Sequence, residues 1–119
     1  MAKGDDIQER LINFAVEIIK LSNTLPKNQA GCHIANQIMR SGTSGAPNYA
    51  EARGAESRKD FIHKMGIALK ELNETEIWLE MIKRSGLVPE IKTIGVAQEC
   101  SELARIINAS IRTAQKQNA

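Results

Sequence analysis

Four stretches of this chain repeat apolar residues at steps of three and four, and that spacing commits it to amphipathic helices. Ile7, Leu11, Phe14, Ile18 and Leu21 form the first stripe. One helical turn takes 3.6 residues, so side chains at these steps line one face. Asp5 or Asp6 is placed to cap the first amides and to oppose the positive end of the helix dipole. The sequence predicts helices over about 5–23, 28–53, 57–85 and 89–116.

The second stripe is Ala35, Ile38, Gly42, Gly45, Tyr49 and Ala52. Much of it is small, which suits close approach of a neighbour at Gly42 and Gly45. Pro47 lacks an amide hydrogen and crowds the carbonyl four residues back, so a kink near Thr43–Ala46 is expected within one long, bent helix. Pro26 separates this helix from the first, because the residue before a proline avoids helical geometry.

Ser57 and Asp60 precede Phe61 in a capping-box pattern that opens the longest helix. Its buried stripe is Phe61, Met65, Ala68 or Leu69, Leu72, Trp78 or Leu79, and Ile82. Ser85-Gly86 ends it, and Pro89 suits the first position of the last helix. There Val96, Cys100, Leu103, Ile107, Ile111 and Ala114 repeat the three-four pattern. The polar end, Gln115 to Ala119, is expected to fray. Four amphipathic helices with short connections imply an all-α fold, an antiparallel up-down-up-down four-helix bundle. At 119 residues the chain makes one domain, 1–119.

Composition narrows the setting. No apolar run approaches the ~20 residues of a membrane span, and the start lacks the apolar stretch of a secretory signal. Two cysteines, Cys32 and Cys100, are too few for a disulfide framework, so the expected location is cytoplasmic. Both are expected to be small buried thiols.

No catalytic constellation emerges, and a non-enzymatic role is expected. A di-iron bundle needs a Glu on each of two helices and Glu-x-x-His on the other two. This chain offers Asp60-Phe61-Ile62-His63 once, while His33 has Ala30 three residues before it. Half the ligands are missing, so no metal or other cofactor is expected and both histidines read as surface residues. Gly42-Thr43-Ser44-Gly45 lacks the Lys-Ser/Thr pair and the preceding strand of a phosphate loop.

Arg40, Ser44, Asn48 and Glu51 follow steps of four, four and three, so an unbroken helix aligns them. Such a line is either a solvated stripe or a hydrogen-bonded seam against a neighbouring helix or subunit. Charge is also uneven: residues 40–70 carry +3, residues 71–80 carry −4 and residues 81–119 carry +3, within a total of +2. Arg58 and Lys59 sit in the first turn of the long helix, where cations oppose the dipole. Arg40, Arg53, Arg58, Lys59 and Lys64 are the candidate phosphate contacts. Only 3% of residues are aromatic. Base stacking is therefore largely unavailable, and any nucleic-acid contact should be electrostatic and salt-sensitive.

The run from Arg40 to Ala52, RSGTSGAPNYAEA, resembles a bacterial family signature. It is that of the four-helix bundle, or 23S ribosomal RNA intervening-sequence, protein family. Ser57 to Lys64 and Ala68 to Leu79 are similar to the next block of that family, and Pro26, Gln37 and Glu102 to Ile106 also fit. The likeness covers nearly the whole chain. It implies a bundle assembled as a homopentameric ring. It also implies kinship with the accessory protein of diversity-generating retroelements, a basic barrel that binds nucleic acid and a reverse transcriptase. Arg40, Ser44, Asn48 and Glu51 then fill motif positions of the second helix, and Arg58, Lys59, Phe61, Glu71 and Glu74 those of the third. On this basis Ser44, Asn48, Glu51, Glu71 and Glu74 are expected to organise fold or assembly. The expected partners are further copies of the chain, RNA or DNA, and a protein such as a reverse transcriptase. Gly45 and Pro47 depart from the usual family pattern, which has an apolar residue after the serine and no proline before the asparagine.

Overall fold

Each apolar stripe lies where its spacing puts it, inside a bundle of four helices. The computed structural model describes residues 4–117, and among them there are helices and no strands. α1 is Asp5–Thr24, and the second helix is interrupted at Thr43 and Ser44 into α2, Gln29–Gly42, and α3, Gly45–Arg53. α4 is Arg58–Ser85 and α5 is Ile91–Gln117. α4 packs on α5, α3 and α2, while α1 packs on α2, α3 and α5, so the four helices close around one core. The molecule measures 49 × 27 × 19 Å, and the 28 residues of α4 account for ~42 Å of its length.

Leu11, Phe14, Ile18 and Leu21 of α1 are buried against Ile38 and Tyr49 of the second helix, Met65, Leu72 and Ile82 of α4, and Leu103 and Ile107 of α5. Ile7, Phe61 and Val96, expected inside, are half-buried at the edge of this core.

The break in the second helix follows from Pro47. Thr43 and Ser44 keep near-helical backbone angles, and Pro47 falls in the first turn of α3, where a missing amide leaves no bond unmade. Gly42 permits the packing beside it. A Cβ there would stand 2.7 Å from Cγ2 of Ile18, so only hydrogen fits between α1 and α2.

Local signals differ at three helix ends. α1 is preceded by Gly4 in the left-handed region, so Gly4 takes the capping position and Asp5 and Asp6 lie in the first turn. Pro89 precedes α5, whose first residue is Ile91. α5 runs through Gln117, one residue beyond the expected end, and Asn118 and Ala119 lie outside the described residues. Two other ends are as expected. The Ser57 Oγ accepts from the Asp60 amide at 3.0 Å, and Gly86, at φ 68°, ends α4 with its amide on the Lys83 carbonyl.

No helix among the described residues is long and apolar enough to cross a membrane.

Candidate nucleic-acid interface

The polar line of the second helix survives the break at Thr43–Ser44, and its first members repair the backbone there. The Ser44 Oγ donates to the Arg40 carbonyl at 2.8 Å, and the Asn48 Nδ2 donates to the Ser44 carbonyl at 2.9 Å. The Ser44 hydroxyl thus satisfies a carbonyl that the break leaves without its amide, since the Ser44 amide turns to the Ser41 carbonyl, whereas the Ser44 carbonyl also accepts the Asn48 amide at 3.3 Å. Glu51 lies further along the helix and accepts from Lys64 Nζ of α4 at 3.0 Å.

Arg40 reaches across to α4. Its Nη1 is 3.1 Å from Glu71 Oε2, and its Nη2 pairs with Glu74 Oε2. The same Glu74 oxygen accepts from the Trp78 Nε1 at 2.9 Å, and the Trp78 ring meets His33 edge-on with centroids 6.0 Å apart. Arg40, Glu71 and Glu74 therefore form one polar clasp between α2 and α4. Glu71 is only 15% exposed, so the guanidinium answers a carboxylate already partly removed from water.

The other candidate cations are distributed differently. Arg53 pairs with Asp5 at 2.7 Å, joining the end of α3 to the start of α1. The Arg58 Nη1 donates to the Gln117 carbonyl at 2.8 Å. Lys59 is exposed. Arg40, Arg53 and Lys64 thus hold carboxylates of their own chain, while Arg53 and Arg58 line one surface hollow at the α3–α4 junction.

The remaining chemistry is sparse. Among the described residues no three His, Cys, Asp or Glu side chains cluster as a metal site. His33 and His63 are exposed, as their sequence context suggested. Cys100 is buried with its Sγ 3.3 Å from the Leu72 carbonyl, and desolvation pushes its thiol well above the usual range. Cys32 is exposed, contrary to expectation, because the α2 core line passes through Gly31, Ile34, Ala35 and Ile38 and leaves position 32 outside.

Sequence reasoning missed the link between Ser41 and Thr75, both fully buried, whose hydroxyls are 2.8 Å apart across α2 and α4. It also missed the clasp of Arg10 on Glu99 and Glu102 between α1 and α5. The bond to Glu99 is the main reason the Arg10 guanidinium is held above its ordinary pKa. Pattern alone does not say which helices are neighbours, so neither link carries a sequence signal.

The family described as 23S rRNA-intervening sequence protein matches residues 5–109. The chain belongs to the 23S rRNA-intervening sequence protein family. A crystal structure from Bacteroides thetaiotaomicron, a protein of unknown function from the S23 ribosomal protein family, is similar at TM-score 0.83 and 37% identity. The likeness covers 88% of this family member and 97% of that chain. No curated protein matches this member of the 23S rRNA-intervening sequence family by sequence.

Proposed function

We propose that the chain is a non-enzymatic, cytoplasmic nucleic-acid-binding protein that works as a homo-oligomeric ring of antiparallel up-down-up-down bundles. The observation that carries the binding reading is the uneven engagement of charge along α4. Its acids Glu71, Glu74 and Glu80 are held by Arg40 and Arg84, while Asp60 and Glu76 form no ion pair among the described residues. In its first half Lys64 holds Glu51, whereas Lys59 and Lys70 are exposed with no carboxylate within ion-pair distance among the described residues. Uncompensated cations attract phosphates and release their counterions, and a ring repeats the same patch in every subunit.

Two observations support the assembly. The start of α4 meets the end of α5, and the start of α1 meets the end of α3 through the Tyr49 hydroxyl on the Gly4 carbonyl, as alternating helices require. Ile12, Val16 and Ile19, each about 40% exposed, add an apolar line to the outside of α1. Such a line suits a contact between copies, with five copies the number that the family resemblance implies.

Mobility shifts of structured RNA and DNA over a salt series test the binding. Retention at low salt that fades as salt rises is expected, and no retention by the assembled protein sinks the reading. Light scattering tests the ring, and a monomer at working concentration removes it.

The α1 line also favours a second reading, a scaffold for a protein such as a reverse transcriptase. That reading requires a protein partner that stays bound after nuclease treatment.

A further inference from the structure

Lys59, His63, Gly66 and Lys70 follow steps of four, three and four along α4, and Arg105, Ala109, Arg112 and Lys116 repeat those steps along α5. Each set is one line on its helix. Both lines lie opposite the buried positions, Met65, Ala68 and Leu72 on α4 and Leu103, Ile107 and Ile111 on α5. All five lysines and arginines in them are exposed.

The two helices that carry these lines are packed side by side. The Arg58 bond to the Gln117 carbonyl ties the start of α4 to the end of α5, and Cys100 meets the Leu72 carbonyl further along. Each line is ~17 Å long from its first to its last cation. Helices packed in this way lie about 8–10 Å apart.

We propose that this outward face of α4 and α5 docks the phosphate backbone of a nucleic-acid double helix, through Lys59, Lys70, Arg105, Arg112 and Lys116. The proposal rests on the nucleic-acid reading above and moves its contact surface away from Arg40, Arg53 and Lys64. Those three hold Glu71, Glu74, Asp5 and Glu51, whereas the five cations of the two lines form no ion pair among the described residues. Residues 58–70 and 103–117 together contain seven lysines and arginines and one acid, Asp60. Of these seven, Lys64 holds Glu51 and Arg58 holds the Gln117 carbonyl, so the cations without an ion pair are the five of the two lines.

The form of the face selects the ligand. No Phe, Tyr or Trp belongs to either line, so stacking surface is limited to the His63 ring and the arginine planes, and a flexible single strand gains little order there. Gly66 and Ala109 keep the middle of each line low, and a Cβ on Gly66 would meet nothing within 4 Å. What fits is a stiff, regular array of anions. A ~17 Å line runs along about half a helical turn of a duplex, roughly 34 Å per turn, and meets the phosphates where a backbone crosses it. Phosphates are common to DNA and RNA, so both duplexes bind alike.

The test uses the full chain, with duplex RNA, duplex DNA and single-stranded RNA of one sequence, in mobility shifts from about 50 to 200 mM salt. The face variant is Lys70→Gln with Arg105→Gln, Arg112→Gln and Lys116→Gln. The comparison variant is Arg40→Gln with Arg53→Gln and Lys64→Gln, and circular dichroism checks that both are folded. The wild type should hold both duplexes more tightly than the single strand. The face variant should lose about tenfold or more in affinity, and its salt slope should fall by about 0.9 for each phosphate contact removed. The comparison variant should bind like the wild type. If the wild type binds no nucleic acid, the broader reading fails as well. If it binds and only the comparison variant weakens, this placement alone is wrong. Equal binding of the single strand, or strong preference for one duplex, overturns the phosphate-backbone assignment. So does retention of an acidic protein by this face in the absence of duplex binding.

Discussion

The hydroxyls of Ser41 and Thr75 lie 2.8 Å apart with neither residue exposed, joining α2 to α4 inside a mostly apolar core. The Thr75 Oγ1 is also 2.8 Å from the Glu71 carbonyl, one turn back. Glu71 and Glu74 flank Thr75 on α4 and hold Arg40, the residue before Ser41. The buried pair and the outer clasp therefore fix the same register. Thr75→Val keeps the volume but leaves the Ser41 hydroxyl with only a 3.5 Å approach to the Ile38 carbonyl. We expect a loss of about 1–3 kcal/mol in urea unfolding. Adding Ser41→Ala should recover part of it, because no buried hydroxyl is then left unpaired; two independent, additive losses would contradict the pairing.

Gly42 and Gly95 should respond to alanine with opposite signs. A Cβ on Gly42 would press Ile18 at 2.7 Å, and relieving that contact costs about 1–3 kcal/mol. A Cβ on Gly95 meets nothing within 4 Å, so Gly95→Ala should stabilise by about 0.5–1 kcal/mol through helix propensity. Thermal unfolding of the two variants reads both signs directly.

Arg40→Gln should lower stability by about 1 kcal/mol, since the clasp is half open to solvent. Its coupling to Glu74→Gln, measured by a double-mutant cycle in urea, should be favourable and should shrink in high salt. A coupling of zero would mean that the clasp contributes nothing to folding. Trp78 fluorescence should report the Glu74 change, because its Nε1 donates to that carboxylate.

The two thiols should react very differently with an alkylating reagent near pH 8. Cys32 is exposed and should be modified in the native protein, whereas Cys100 is buried with its thiol pushed above the usual range. A thiolate is the reactive form, so Cys100, buried and held as a thiol, should stay unlabelled while the native fold persists. Mass spectrometry should find one label per native chain and two per unfolded chain.

The helices and most of their inward faces are legible from the three-four spacing, because burial of one face is a property of each segment alone. Leu11, Phe14 and Ile18 on α1, and Leu103 and Ile107 on α5, are buried where that spacing puts them. The kink was legible too, since Pro47 acts on its own backbone, and the family was readable in the run from Arg40 to Ala52. Partners across helices were not. Arg40, Arg53 and Lys64 look like free phosphate ligands in the sequence, but packing places Glu71 and Glu74, Asp5, and Glu51 beside them. Charge count is additive along a chain, while charge compensation depends on distance between segments. The role of Thr75 was hidden for the same reason, because its hydroxyl finds the Glu71 carbonyl within α4 and nothing in that helix alone shows that Ser41 comes to meet it. The spacing decided which face of each helix goes inward, and the tertiary structure decided which cations remain exposed to a ligand.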